Sequence, residues 1–436
     1  MQIPSIRAAF VVASFAPAAA FARQAAPRPI ALDAAVRLAQ QNSPTTTQAR
    51  NSLRVGRMAV SSALAQFLPS VGVSANGGNS NGATFFQGKL VPFQGDPWSY
   101  GKGYGASLTL FDGGQRWFNY RAAQANQRAY LENDVLQHFN VALNVKQQYY
   151  AVLAARESEG AALRQLDQAE QQLRLTSARV RVGAAIHSDS LRGAIAVGTA
   201  RLAIINARNN LRVANATLTR LVASPDEVTA VAADTSEVPR IDLDSVDLVK
   251  LAEDGPGVRQ ATSGVEASRA TKRASVTSYL PTVSMNYGYA TSKSSQTFDW
   301  GGGPASPSTN YRFSLNYTLF NNLGRELNVL TATVNAENAE ATLRDARLAV
   351  RENLATYLGA FRTAQQTIEL QLLQIAAAEE DFRAQQSRYA LGSSSLLDVL
   401  TSQTALDNAR TALINARLQA RTAKAQLEAL VGRELR

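Results

Sequence analysis

The chain contains no cysteine. Disulfide frameworks, thiolate metal sites, a cysteine nucleophile and a lipidated N-terminal cysteine are therefore all excluded. Histidine is nearly absent too. His138 and His187 are the only two, and both fall on helical or turn segments. That leaves "GNSNG", Gly78 to Gly82, without a base for the nucleophile-elbow chemistry its G-x-S-x-G spacing would need, and its Gly/Asn surroundings are those of a loop. Neither H-E-x-x-H nor a phosphate-binding glycine loop occurs. Nothing calls for a metal, a cofactor or an enzymatic role. Beyond the N-terminal leader, no apolar run reaches the roughly 20 residues of a membrane-spanning helix, so any membrane attachment must use strands. The net charge of +10 comes from Arg residues dispersed along helical stretches, with no basic block interleaved with aromatics. Solvated helix faces explain it, and nucleic acid is not expected as a partner.

What is present begins with an address. Arg7 supplies a positive start, Ala8 to Phe15 is apolar, and Ala20-Phe21-Ala22 has the form that precedes signal cleavage. Residues 1–22 read as a signal peptide, with the mature chain beginning near Arg23.

The remainder is a tandem duplication. "TLF" at Thr109 recurs at Thr318 and "INAR" at Ile205 recurs at Ile414, a shift of 209 residues (318 − 109). Carried from Thr109 to Val222 without a gap, that shift gives identity at about 30% of positions. "FLPSV" at Phe67 returns as "YLPTV" at Tyr279, and Pro44 as Pro256, at a shift of 212 (279 − 67), so the length difference falls in a Gly-rich stretch between Val71 and Thr109. The reading is a first repeat over residues 23–224, a linker over 225–242 and a second repeat over 243–436.

Each repeat has the same grammar. A helical segment, about Leu32 to Gln66 and about Leu243 to Ser278, meets a Leu-Pro that stops helix and starts extended chain. Period-two alternation follows, clearest where Val283, Met285, Tyr287 and Tyr289 alternate with Ser284, Asn286 and Gly288, and where Tyr311, Phe313 and Leu315 alternate with Arg312 and Ser314. Weaker alternation in the first repeat gives four strands in all, paired through long loops at Gly77 to Gly103 and Ser292 to Asn310. A small soluble sheet on a core is one explanation. The other is an outer-membrane barrel, favoured by the signal peptide, the long loops and the lack of an apolar layer to cover the sheet. Four strands cannot close a barrel, so that reading requires two, three or four copies.

After the strands come heptads. Phe361, Ile368, Ile375, Phe382 and Tyr389 are spaced by seven, as are Val399, Leu406, Leu413, Ala420 and Leu427. The first repeat matches at Val152, Leu166, Leu173 and Val180, then Val197, Ile204, Leu211 and Leu218, with Glu159 and Ser190 interrupting. Such patterns predict antiparallel coiled-coil hairpins. Their turns are "RVRVGAAIHSDSL" (Arg179 to Leu191) and "RYALGSSSLLDVL" (Arg388 to Leu400). The first long helix, Gln115 to Val182, would reach about 100 Å.

Together with the junctions "LFDGGQR" (Leu110 to Arg116) and "LFNNLGR" (Leu319 to Arg325), this ordered set resembles the TolC-like outer membrane efflux protein family over essentially the whole mature chain. The resemblance implies mixed α and transmembrane β structure: a homotrimer whose 12-stranded β-barrel continues into an α-helical periplasmic tunnel. It implies outer-membrane lipid around the barrel, and as partners a periplasmic adaptor protein and an inner-membrane RND-type or ABC-type transporter. It assigns adaptor docking to Arg179, Val182 and Gly183 in one turn and to Arg388, Leu391 and Gly392 in the other, although each Gly is equally well a helix cap. It places Asp398, and Asp189 as its counterpart, at a periplasmic aperture where acids would attract cations and make closure sensitive to pH. Thr401 and Arg192 stand where a second acid would strengthen that ring, so the ring is weaker or neutralised by Arg192. Tyr389 matches a tyrosine that holds the aperture shut, while its heptad position suits simple packing. A structural coiled-coil envelope protein that transports nothing is the alternative; it would need the heptads but not the strands.

Overall fold

A computed structural model describes residues 27–80, 82–92, 96–231, 241, 245–299 and 304–435. The signal peptide, and most of the 225–242 linker, lie outside the described residues.

A short strand, β1 (Arg28–Ile30), leads into α1 (Leu32–Asn42) and α2 (Pro44–Ala65). The single helix expected here is two, because Pro44 pushes Ser43 into extended backbone (φ −60°, ψ 135°) and the Ser43 hydroxyl then accepts from the Thr45 N–H. Strands β2 (Ser70–Asn79) and β5 (Trp98–Phe111) follow, with a hairpin between them, β3 (Ala83–Phe86) and β4 (Lys89–Pro92). Next come α3 (Gln115–Arg181), α4 (His187–Val222) and β6 (Val228–Ala230), which pairs in parallel with β1. The second repeat runs α5 (Ser245–Glu253), α6 (Pro256–Val276), a 3₁₀ turn (Thr277–Tyr279), β7 (Thr282–Ser295), β8 (Ser306–Asn316), α7 (Gly324–Ala390) and α8 (Leu396–Val431). Here Pro256 makes the same break that Pro44 makes in the first repeat. Strands extend further into both loops than alternation suggested, since Gly, Ser and Asn give no hydrophobic period to read.

The main sheet is antiparallel in the order β2-β5-β7-β8. Helices continue it in the same order, with α2 on α3, α3 on α6 and α6 on α7. Register sorts the strand residues cleanly. Val71, Val73, Leu108, Met285, Tyr287 and Phe313 share one face; Ser70, Ser107, Asn286, Gly288, Arg312 and Ser314 share the other. Each strand-to-helix junction is clamped alike. Arg116 lies 5.2 Å over the Phe67 ring, and Arg325 lies 4.8 Å over the Tyr279 ring.

Below the wall, α3 packs on α4, α7 on α8, and α3 on α8. The two long helices have 67 residues each, about 100 Å. The heptad residues form the seams: Phe361, Ile368, Phe382, Val399, Leu406, Leu413, Ala420 and Leu427 are all buried. Full burial of a leucine such as Leu406 or Leu427 contributes about 2 kcal/mol. At the interrupting position, Glu159 leaves the seam to bind Arg208, 3.1 Å away.

Candidate functional site

The two hairpin turns sit together at the end of the molecule farthest from the sheet, and their backbones are near copies. Gly183 (φ +75°) and Gly392 (φ +80°) occupy the left-handed region at the ends of α3 and α7. Gly183 N–H donates to the Val180 carbonyl at 3.0 Å and Ala184 N–H to the Arg179 carbonyl at 2.8 Å; Gly392 and Ser393 do the same to Tyr389 (3.1 Å) and Arg388 (2.9 Å). This is the paired bonding that closes a helix on a glycine, and a side chain at either position would force strained backbone.

Side-chain chemistry then separates the turns. In the second, Ser395 caps α8: its hydroxyl accepts from Asp398 N–H at 3.2 Å, and the Asp398 carboxylate accepts from Ser395 N–H at 2.9 Å and the Ser395 hydroxyl at 2.7 Å. The Ser394 hydroxyl stands 3.1 Å from the same carboxylate oxygen. These bonds, led by the Ser395 hydroxyl, hold the Asp398 carboxyl below its ordinary range. In the first turn the cap position is Ile186, which has nothing to offer as a cap and is largely exposed. Asp189 instead faces Arg192, at 3.9 Å. Thr401 is exposed and bonds its own helix, at the Leu397 carbonyl (2.9 Å).

The motif arginines also part company. Arg388 is exposed. Arg179 crosses to the other repeat, stacks 4.7 Å from the centre of the Tyr389 ring and donates to the Tyr389 carbonyl. Tyr389 is buried, and its hydroxyl donates to Thr176 Oγ1 at 3.4 Å. Val182 and Leu391 project into solvent at 79% and 85% exposure. The fold thus brings Arg179 to Tyr389 and Asp189 to Arg192, while Asp398 takes its partners within its own turn. Sequence reasoning assigns Ser394 and Ser395 to the turn and its docking surface rather than to a cap, and it misses Thr176. The Ser-x-x-Asp spacing just before α8 was a readable cap signal; Thr176 had none, because its partner lies in the other repeat.

Among the described residues, no helix is long and apolar enough to cross a membrane, and no three His, Asp or Glu side chains come together as a metal site would require. The model of the family described as outer membrane efflux protein matches residues 35–224 and again 248–433. Protein CyaE of Bordetella pertussis is 26% identical over 329 residues, covering 74% of this chain and 68% of its own. Among solved structures, CusC superposes with a TM-score of 0.79 at 17% identity over 92% of both chains. The outer membrane protein VceC of Vibrio cholerae does so with 0.77 at 16% identity, over 93% of this chain and 97% of its own. The chain belongs to the outer membrane efflux protein family, as an outer-membrane channel component with a periplasmic helical tunnel domain.

Proposed function

We propose that three copies of this chain close into a passive export duct, recruited by a periplasmic adaptor and an inner-membrane pump of RND or ABC type that supplies the energy. The observation that carries this is the pair of open edges. Among the described residues, β2 and β8 are each hydrogen-bonded on one side only. On the flanking helices, Val55 (67% exposed) and Met58 (68%) of α2, and Leu327 (63%) and Leu330 (60%) of α7, leave apolar surface bare at those same two edges. Joining β8 of one copy to β2 of the next is a head-to-tail contact that closes by rotation, pairs the free strands and covers both stripes. Three copies give 12 strands, above the minimum of about eight for a bacterial barrel. The apolar face of the sheet then meets lipid, with Trp98, Tyr100 and Phe298 clustered at the end remote from the helices, where interfacial aromatics belong.

At the opposite end the tips form the inner mouth. Asp398, Asp189, Tyr389, Arg192 and Thr401 surround the aperture in this reading. Exposed Val182, Leu391 and Arg388, on turns made by Gly183 and Gly392, offer the adaptor a hairpin surface, with Arg179 bracing it from behind. The chain performs no chemistry of its own.

Sedimentation and conductance test the proposal. Detergent-extracted protein should have three times the 46.7 kDa chain mass less its leader, an elongated profile, and ion conductance in planar bilayers. A compact, non-conducting monomer would end this reading.

A further inference from the structure

We infer that Arg312 gives the barrel a positively charged ring, one guanidinium per subunit, that favours anionic solutes in the outer-membrane segment of the duct; this rests on the trimeric reading above. Register carries the assignment. Arg312 stands opposite Asn286, which stands opposite Ser107, which stands opposite Ser70. This row crosses the face turned away from Val71, Leu108, Met285, Tyr287 and Phe313, so if those meet lipid, Arg312 points into the lumen. Every other paired position on its face, across all four strands, is Gly, Ser, Thr, Asn or Ala. No Asp, Glu or Lys shares it, so nothing within the sheet neutralises the charge.

The wall around Arg312 is also flat. A Cβ on Gly288 would strike Asn310 Oδ1 at 2.7 Å, and one on Gly101 would strike Asn76 Oδ1 at 2.6 Å, so both amides lie folded down on neighbouring glycines. Arg312 is exposed and is the longest side chain among the paired positions of this sheet face. Three guanidinium cations around one axis between low-dielectric walls focus a field that attracts carboxylates, sulfates and phosphates.

Absence of cysteine gives a probe of the barrel that is independent of the tips. Asn286→Cys in the full-length protein, reconstituted in liposomes, introduces a single thiol in the arginine's own row. Its modification rates with anionic sulfonatoethyl and cationic trimethylammonioethyl methanethiosulfonates are compared, alone and combined with Arg312→Gln, Arg312→Glu or Arg312→Lys. At low salt the anionic-to-cationic rate ratio should fall about fivefold with Gln, fall further with Glu and persist with Lys; about 1 M salt should erase the differences. A ratio indifferent to Arg312→Gln and Arg312→Glu overturns the ring, as does a thiol that neither reagent reaches in an intact trimer. A wild-type protein that sediments as a monomer overturns the duct itself, and the ring with it.

Discussion

The Arg179 guanidinium lies 4.7 Å from the centre of the Tyr389 ring and donates to the Tyr389 carbonyl, fastening the tip of one repeat to the tip of the other. Two interactions at one place make this a latch: stacking on a buried ring contributes about 1 kcal/mol, and a hydrogen bond to the last turn of α7 about as much again. Arg179→Ala should therefore raise amide exchange at Leu391 to Ser393 and increase conductance, while Arg388→Ala, on an exposed side chain, should do neither. Equal exchange in wild type and Arg179→Ala would remove the latch.

How much of this was legible beforehand differs by feature. The heptads and both tip glycines were plain, because seven-residue spacing and a Gly ending an apolar stripe are local signals. The breaks at Pro44 and Pro256 were visible as paired prolines but not as helix ends, since amphipathic pattern runs through them. β1 with β6 could not be read: three-residue strands joined across the whole first repeat carry no period. The latch was hidden for the same reason. The Asp398 carboxylate is legible as an aperture acid, whereas the serines that bind it, Ser394 and Ser395, read from sequence as turn and docking residues.

That partnership determines how the tip answers acid. The Ser395 hydroxyl, Ser395 N–H and Ser394 hydroxyl depress the Asp398 pKa. A depressed carboxylate contributes stability that is present above the unfolded value of about 4 and is lost as pH falls through the still lower folded value. Between pH 7 and 5 this group should stay ionised. Wild type and Asp398→Asn should thus differ in cation preference by a constant over that range, and Ser395→Ala should bring the onset of protonation upward. Bilayer reversal potentials across the pH series check this, and a gap between wild type and Asp398→Asn that closes by pH 5 would contradict it.

Further up the molecule, Lys146 of α3 meets Glu428 of α8 at 2.6 Å, with both side chains under one-fifth exposed. This ion pair joins the repeats beside Tyr150, whose hydroxyl burial and the Glu428 charge push up to a pKa of about 12. Removing one partner strands a poorly solvated charge, which costs about 3–5 kcal/mol; replacing both with apolar groups relieves it. Lys146→Met should lower the unfolding midpoint far more than Lys146→Met with Glu428→Leu, which should lie within about 1 kcal/mol of wild type. Denaturation of the wild type, Lys146→Met, Glu428→Leu and the double variant completes the cycle, and additive losses would show that the pair is not coupled.

Asp407 of α8 presents the opposite case to Asp398. Burial raises its pKa, and Arg410 and the Gln165 side chain only partly offset this. One carboxylate oxygen, Oδ2, is buried with no hydrogen-bond partner among the described residues. A raised folded value means that stability is fully present below the unfolded pKa of about 4 and is lost as pH rises through the folded one, so at neutral pH the charged group is a standing penalty in the coiled coil. Asparagine has nearly the same shape and no charge to desolvate. Asp407→Asn should therefore melt above wild type at pH 7 and converge with it at about pH 2, well below the unfolded value, where Asp407 is protonated in folded and unfolded chains alike. Thermal unfolding at the two pH values decides the matter. A variant that melts below wild type at pH 7 would mean that the attraction of Arg410 outweighs the desolvation, and that this acid is kept in the seam for stability.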